Sequence, residues 1–167
     1  MCTTSSSLAK RPTTASNSPL ASIVRTWLPV ALWLALIAIE STRALGADHT
    51  GLWLYNLADF LHLHLSDRAL ELANHVLRKS GHFVGYGILG VLFFRAWLCT
   101  LRPNLRGLPA VFPALVLAIL STCLTASVDE FHQTFLPNRT GSAWDVALDT
   151  MGATVLTTIA LPRMRRI

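Results

Sequence analysis

Asp129-Glu130-Phe131-His132-Gln133-Thr134-Phe135-Leu136-Pro137-Asn138-Arg139, with Asp145 and Asp149 close behind, decides how this chain is read. The stretch carries four carboxylates, a histidine and an arginine, and it sits between segments that carry no charge. Residues 107–128 before it and 150–162 after it contain no Asp, Glu, Lys or Arg. The first of these is long enough to cross a bilayer, since about 20 residues at 1.5 Å each cover the hydrocarbon core. Ionisable groups at membrane depth are costly, so a cluster of them is read as a functional site. A second cluster, Lys79, His82 and Tyr86, opens another apolar segment. The functional expectation depends on the two clusters meeting.

The rest of the composition agrees with a membrane setting. The chain has 167 residues, a hydrophobic content of 52% and a mean hydropathy of +0.47. Its 14% of charged residues is too little for the surface of a small soluble domain. The expected fold is an all-α bundle of four transmembrane helices, at about 22–43, 80–101, 108–128 and 143–161, within a domain covering 20–162. The second span is interrupted only by His82 and Arg95. The fourth has aspartates in its first two turns, and its inclusion rests on the family resemblance given below.

Charge sets the expected orientation. Lys10, Arg11 and Arg25 precede the first span, Arg95, Arg102 and Arg106 close the second, and Arg163, Arg165 and Arg166 follow the fourth. Arg43, Arg68, Arg78, Lys79 and Arg139 fall on the other side. The positive-inside rule then puts both termini in the cytoplasm and both polar clusters at the outer face of a multi-pass protein. A nucleic-acid partner is not expected, because no basic stripe interleaves with aromatics. Cys2, Cys99 and Cys123 have no metal-ligand spacing and no expected disulfide. Residues 1–19, rich in Ser and Thr, are expected to be a disordered cytoplasmic tail. Ala44-Leu45-Gly46 after the first span is compatible with signal cleavage, but Glu40 and Arg43 favour an uncleaved anchor.

The segment 44–78 is expected to form one or two amphipathic helices at the outer interface. Leu54, Leu57, Leu61 and Leu65 recur at helical spacing, and Ser66 is an N-cap for a second stripe of Leu70, Ala73 and Leu77. Trp53 and Tyr55 suit the headgroup level. His49, His62, His64 and His75 are read as interfacial polar residues rather than ligands. Gly81 and Gly85 form a small-xxx-small pair that would admit a neighbouring helix. Ser142 with Asp145 has the spacing of a capping box for the fourth helix.

Helical geometry sorts the polar residues further. Lys79, His82 and Tyr86 lie at i, i+3 and i+7 on one stripe, and Asp145, Asp149 and Gly152 on another. Asp129 and Gln133 share a stripe, with Glu130 about 100° away and unable to serve the same cavity in the same manner. Each residue also has a plain structural reading. Lys79 can snorkel, His82 can cap or fill a core hydrogen bond, and the aspartates can favour a helix N-terminus. Arg139 can brace its loop through a carboxylate. A shared polar site explains better why three helices carry such residues at one depth.

Arg78-Lys79-Ser80-Gly81-His82-Phe83 with Tyr86 and Leu89-Gly90, then Asp129-Glu130-x-x-Gln133-x-Phe135-x-Pro137-x-Arg139 with Ser142, Asp145, Asp149 and Gly152, resembles the VanZ-like family. The resemblance covers about 20–162, and the paired motifs in order are specific. It implies a small bacterial integral membrane protein of the inner membrane, in a family named for a member associated with teicoplanin resistance. It implies no reaction. By that likeness Lys79, His82, Asp129, Glu130, Gln133, Arg139 and Asp145 are signature positions. Two departures are Gly85, where many members have glutamate, and Asp149, where asparagine is commoner.

Three functions follow as expectations. The first is a pocket formed by Lys79, His82, Tyr86, Asp129, Glu130, Gln133, Arg139, Asp145 and Asp149, binding a cell-envelope lipid or glycopeptide-type ligand. The second is an intramembrane transferase or hydrolase with His82 as base and Asp129 or Glu130 orienting it. The third is an interhelical ion-pair network with a structural role alone. No metal or other cofactor is expected, since no spacing matches a known metal site.

Overall fold

The computed structural model describes residues 19–42, 47–102, 110–136 and 141–164, and every element among them is helical. The order is α1 Pro19–Glu40, α2 Ala47–Phe60, α3 Asp67–Leu101, α4 Val111–Gln133 and α5 Ala143–Met164. Three of these, over Leu20–Glu40, Asp67–Leu101 and Val111–Gln133, are long and apolar enough to cross a membrane. The helix at the expected fourth span forms but is not among those three. Of the tail expected at 1–19, residues 1–18 lie outside the described residues and Pro19 opens α1; the loop carrying Arg139 also lies outside them.

α3 is the centre of the bundle and packs against each of the other four helices. α1 runs antiparallel to it: Trp33 Nε1 donates to the Gly85 carbonyl at 2.9 Å, while Trp27 meets Trp97 edge-on and donates to Thr100. α4 is also antiparallel, with Tyr86 bonded to Asp129 and Trp97 to Ser121. α5 returns parallel to α3, since Lys79 meets Asp145, His82 faces Asp149 and Gly90 faces Thr157. Here the backbones touch. A Cβ at Gly152 would overlap the Phe83 carbonyl, so only glycine permits this approach.

α4 shows why the bundle holds together without a water-driven core. Its inward stripe is Ala114, Ala118, Thr122 and Ala126, all fully buried. Its outward stripe is Phe112, Val116, Leu120, Leu124 and Val128, all exposed. Small residues inside and large apolar ones outside are the pattern expected when lipid is the solvent and close van der Waals contact drives association. Leu89, Phe94 and Tyr86 fill the centre from α3.

Three expectations are corrected. The second amphipathic helix is not separate from the second span. Ser66 caps a continuous helix of 35 residues, about 52 Å long against a hydrocarbon core of about 30 Å. Nothing at 78–82 breaks the ladder, because an interior glycine costs only about 1 kcal/mol and no proline is present. The leucine stripe of α2 is also shorter than its spacing suggests. The helix ends at Phe60, and His62 adopts φ 55° with Leu63 N–H bonded to the Ala58 carbonyl and His62 N–H to that of Asp59. This Schellman ending leaves Leu61 and Leu65 outside the helix and exposed. Finally, Gly81 and Gly85 admit no helix: nothing lies within 4 Å of a Cβ at either, and the close contact uses Gly87, Gly90 and Gly152 instead.

Candidate functional site

The C-terminal ends of α1 and α4, the N-terminal end of α5 and residues 78–86 of α3 lie at one level of the bundle. Arg78, Gly81, His82, Gly85 and Tyr86 recur at i, i+3, i+4, i+7 and i+8, so they form one face of α3. That face lines a cavity of about 370 Å³, closed by Ile37, Glu40 and Ser41 of α1, Thr50 of α2, Leu77 of α3 and Asp129 of α4. The two bare glycines provide its depth.

Asp129 is the anchor on the α4 side. Its carboxylate accepts from Ser41 Oγ, from the Tyr86 hydroxyl at 3.0 Å and from Gln133 Nε2 at 3.2 Å. One side chain thus ties α1, α3 and α4 together. Glu130, one residue on, turns away as helix geometry requires. It is buried toward α5, where its Oε2 accepts the Ser142 N–H at 2.8 Å. The capping box expected at Ser142 is therefore completed from another helix. Ser142 Oγ accepts from Trp144 N–H, but the reciprocal acid is Glu130, while Asp145 points to Lys79. Gly141 makes room for this, since a Cβ there would overlap the Glu130 carbonyl.

His82 stands between the two halves. Its ring stacks on Tyr86 with centroids 6.1 Å apart and lines the cavity. On its other side Nδ1 is 3.5 Å from Asp149 Oδ2. The acid facing His82 is thus Asp149, in place of the expected Asp129 or Glu130. Asp149 is fully buried, and neither of its oxygens has a hydrogen bond.

Lys79, offset by about 100° from the cavity face, forms an ion pair with Asp145, joining α3 to α5. Both partners are partly exposed, at 32% and 21%. This is the arrangement that a structural role requires of these two positions. His132 is exposed and lies apart. Sequence reasoning placed Lys79 in the pocket and missed Arg78, Glu40, Ser41 and Thr50. Arg78 was legible: extending the His82–Tyr86 stripe back by four residues reaches it. The α1 and α2 contributions arise from tertiary packing and leave no local signal.

A bundle of apolar helices with small residues inside, lipid-suited side chains outside and a polar site at one end defines an integral membrane protein. The VanZ/LLP1 family matches residues 19–164, and the chain belongs to that family. No curated protein and no solved structure matches it.

Proposed function

We propose that this protein binds the headgroup of a cell-envelope lipid in the cavity between α1, α2, α3 and α4. The supporting observation is the lining itself. Glu40 and Asp129 supply anionic groups, Arg78 a guanidinium, His82 and Tyr86 aromatic walls, and Ile37 and Leu77 an apolar rim. A zwitterionic headgroup matches this set, its phosphate toward Arg78 and its ammonium toward the carboxylates. Lys79 is not part of the lining, and the guanidinium that faces the cavity is that of Arg78, so phosphate capture is assigned to Arg78. At about 370 Å³ the cavity lies in the range of small-molecule sites and takes a headgroup or a single sugar, not a whole glycopeptide.

The proposed setting is the bacterial inner membrane, with the site at the outer face and α5 as a fourth crossing. Arg25, Arg95, Arg102 and Arg163 lie at the end of the bundle opposite the site, which is the cytoplasmic side by the positive-inside rule. α5 is less apolar because it carries threonines. Those at 150, 154 and 158 return their hydroxyls to the carbonyls four residues back, which suits a helix without water. Mass spectrometry of lipids retained in detergent is the test. Arg78→Ala and Asp129→Asn should each lose a lipid that the wild type keeps, and unchanged lipid content in both would refute the reading.

His82 supports a second reading, an intramembrane hydrolase or transferase. Its ring faces the cavity and its Nδ1 faces a buried carboxylate, the arrangement of an oriented general base. Total-lipid profiles of cells carrying wild type or His82→Ala should then differ, and identical profiles would remove this option.

A further inference from the structure

We infer that His82, Glu130 and Asp149 form a binding site for a divalent transition-metal ion, next to the cavity and independent of what the cavity holds. Three separate helices each contribute one ligand, and the ligand atoms all lie within 4.8 Å of one another. Coordination bonds of about 2.0–2.2 Å place ligands about 3.0–3.5 Å apart, so the three side chains draw in by about an ångström on loading.

The independent observation is Asp149. It is fully buried, and both carboxylate oxygens lack a hydrogen bond. Buried polar groups are satisfied almost without exception, and a buried carboxylate that accepts no hydrogen bond is costly. His82 Nδ1, at 3.5 Å, gives Asp149 no good hydrogen bond and forms an ion pair with it only when the imidazole is charged. Glu130 adds a second buried carboxylate to the same space. Among the described residues Lys79, three residues before His82 on α3, is engaged by Asp145. A dication shared by the two carboxylates removes the charge and satisfies the orphaned oxygens together.

The donor set selects the ion. One imidazole and two carboxylates exclude the thiolate-loving ions and differ from the all-oxygen cages of calcium, leaving the Mn²⁺, Fe²⁺ and Zn²⁺ class. Three protein ligands leave at least one position open, as at catalytic rather than structural sites. The Ser142 N–H holds the Glu130 carboxylate in orientation, and the Tyr86 ring supports that of His82. His82 also lines the cavity, which gives the ion its route in.

The test uses the full chain in detergent, stripped with chelator and titrated with Co²⁺, whose visible d–d bands report the ligand set. One Co²⁺ per chain should bind and be displaced by Zn²⁺, which binds such sites more tightly. Asp149→Asn and Glu130→Gln, which keep side-chain shape, should each weaken binding by about 100-fold or more, beyond the 10- to 100-fold typical of supporting residues. His132→Ala, an exposed histidine near the same helix end, should bind as the wild type does. No Co²⁺ bands in the wild type would overturn the proposal. Undiminished binding in both carboxamide variants would overturn it equally. Neither result bears on lipid retention by Arg78→Ala, so the two proposals stand or fall separately.

Discussion

Asp129 accepts from the neutral donors Ser41, Tyr86 and Gln133, and among the described residues it joins three helices without an ion pair. Tyr86→Phe removes one donor and should lower stability by about 1–2 kcal/mol, between the values for neutral and charged acceptors because Asp129 is only half-buried. A thermal midpoint in detergent equal to wild type would contradict that. Lys79–Asp145 is the opposite case, a partly exposed ion pair contributing about 1 kcal/mol at most. Lys79→Asp should unpair it, and adding Asp145→Lys should restore the midpoint without affecting lipid retention. Failure of the reversed pair to recover would show that Lys79 has another partner. The division between Asp129 and Glu130 was legible in the sequence, because adjacent residues on a helix point about 100° apart. The partner of Asp149 was not legible, because the ligand atoms near it come from positions 82 and 130 on other helices.

Among the elements, α3 and α5 meet through glycine. Gly152→Ala places a methyl against the Phe83 carbonyl and should cost about 1–3 kcal/mol by overpacking. Gly85→Ala meets open space and should leave stability unchanged while narrowing the cavity. Paired unfolding and lipid-retention measurements check both. If Gly85→Ala unfolded earlier than Gly152→Ala, the assigned contact faces would be wrong. The sequence showed that α3 had small residues to spare but not which pair faced a helix. Four glycines fall within ten residues, and only packing separates the open face from the closed one. The same limit applied to α2 and the start of α3. Their apolar stripes were visible, but the Schellman turn at His62 and the unbroken run past Ser80 are decided by backbone hydrogen bonds.

At the scale of the molecule, antiparallel packing of α1, α3 and α4, with α5 returning alongside α3, brings chain-distant polar ends to one level. The apolar helices and the grouping of carboxylates with the second cluster were legible because charge and hydropathy are segregated along the chain. The contribution of α1 was not, since its polar end consists of only Glu40, Ser41 and Thr42 among the described residues. Cysteine labelling in right-side-out vesicles tests the central arrangement most directly, in a background lacking Cys2, Cys99 and Cys123. Cysteines introduced at Thr42, Ser80 and Ser142 should all react with an impermeant maleimide from outside, and one at Arg163 only after permeabilisation. Reaction of the Ser80 and Ser142 positions from opposite sides would dismantle the site, and outside labelling at Arg163 would show that α5 does not cross.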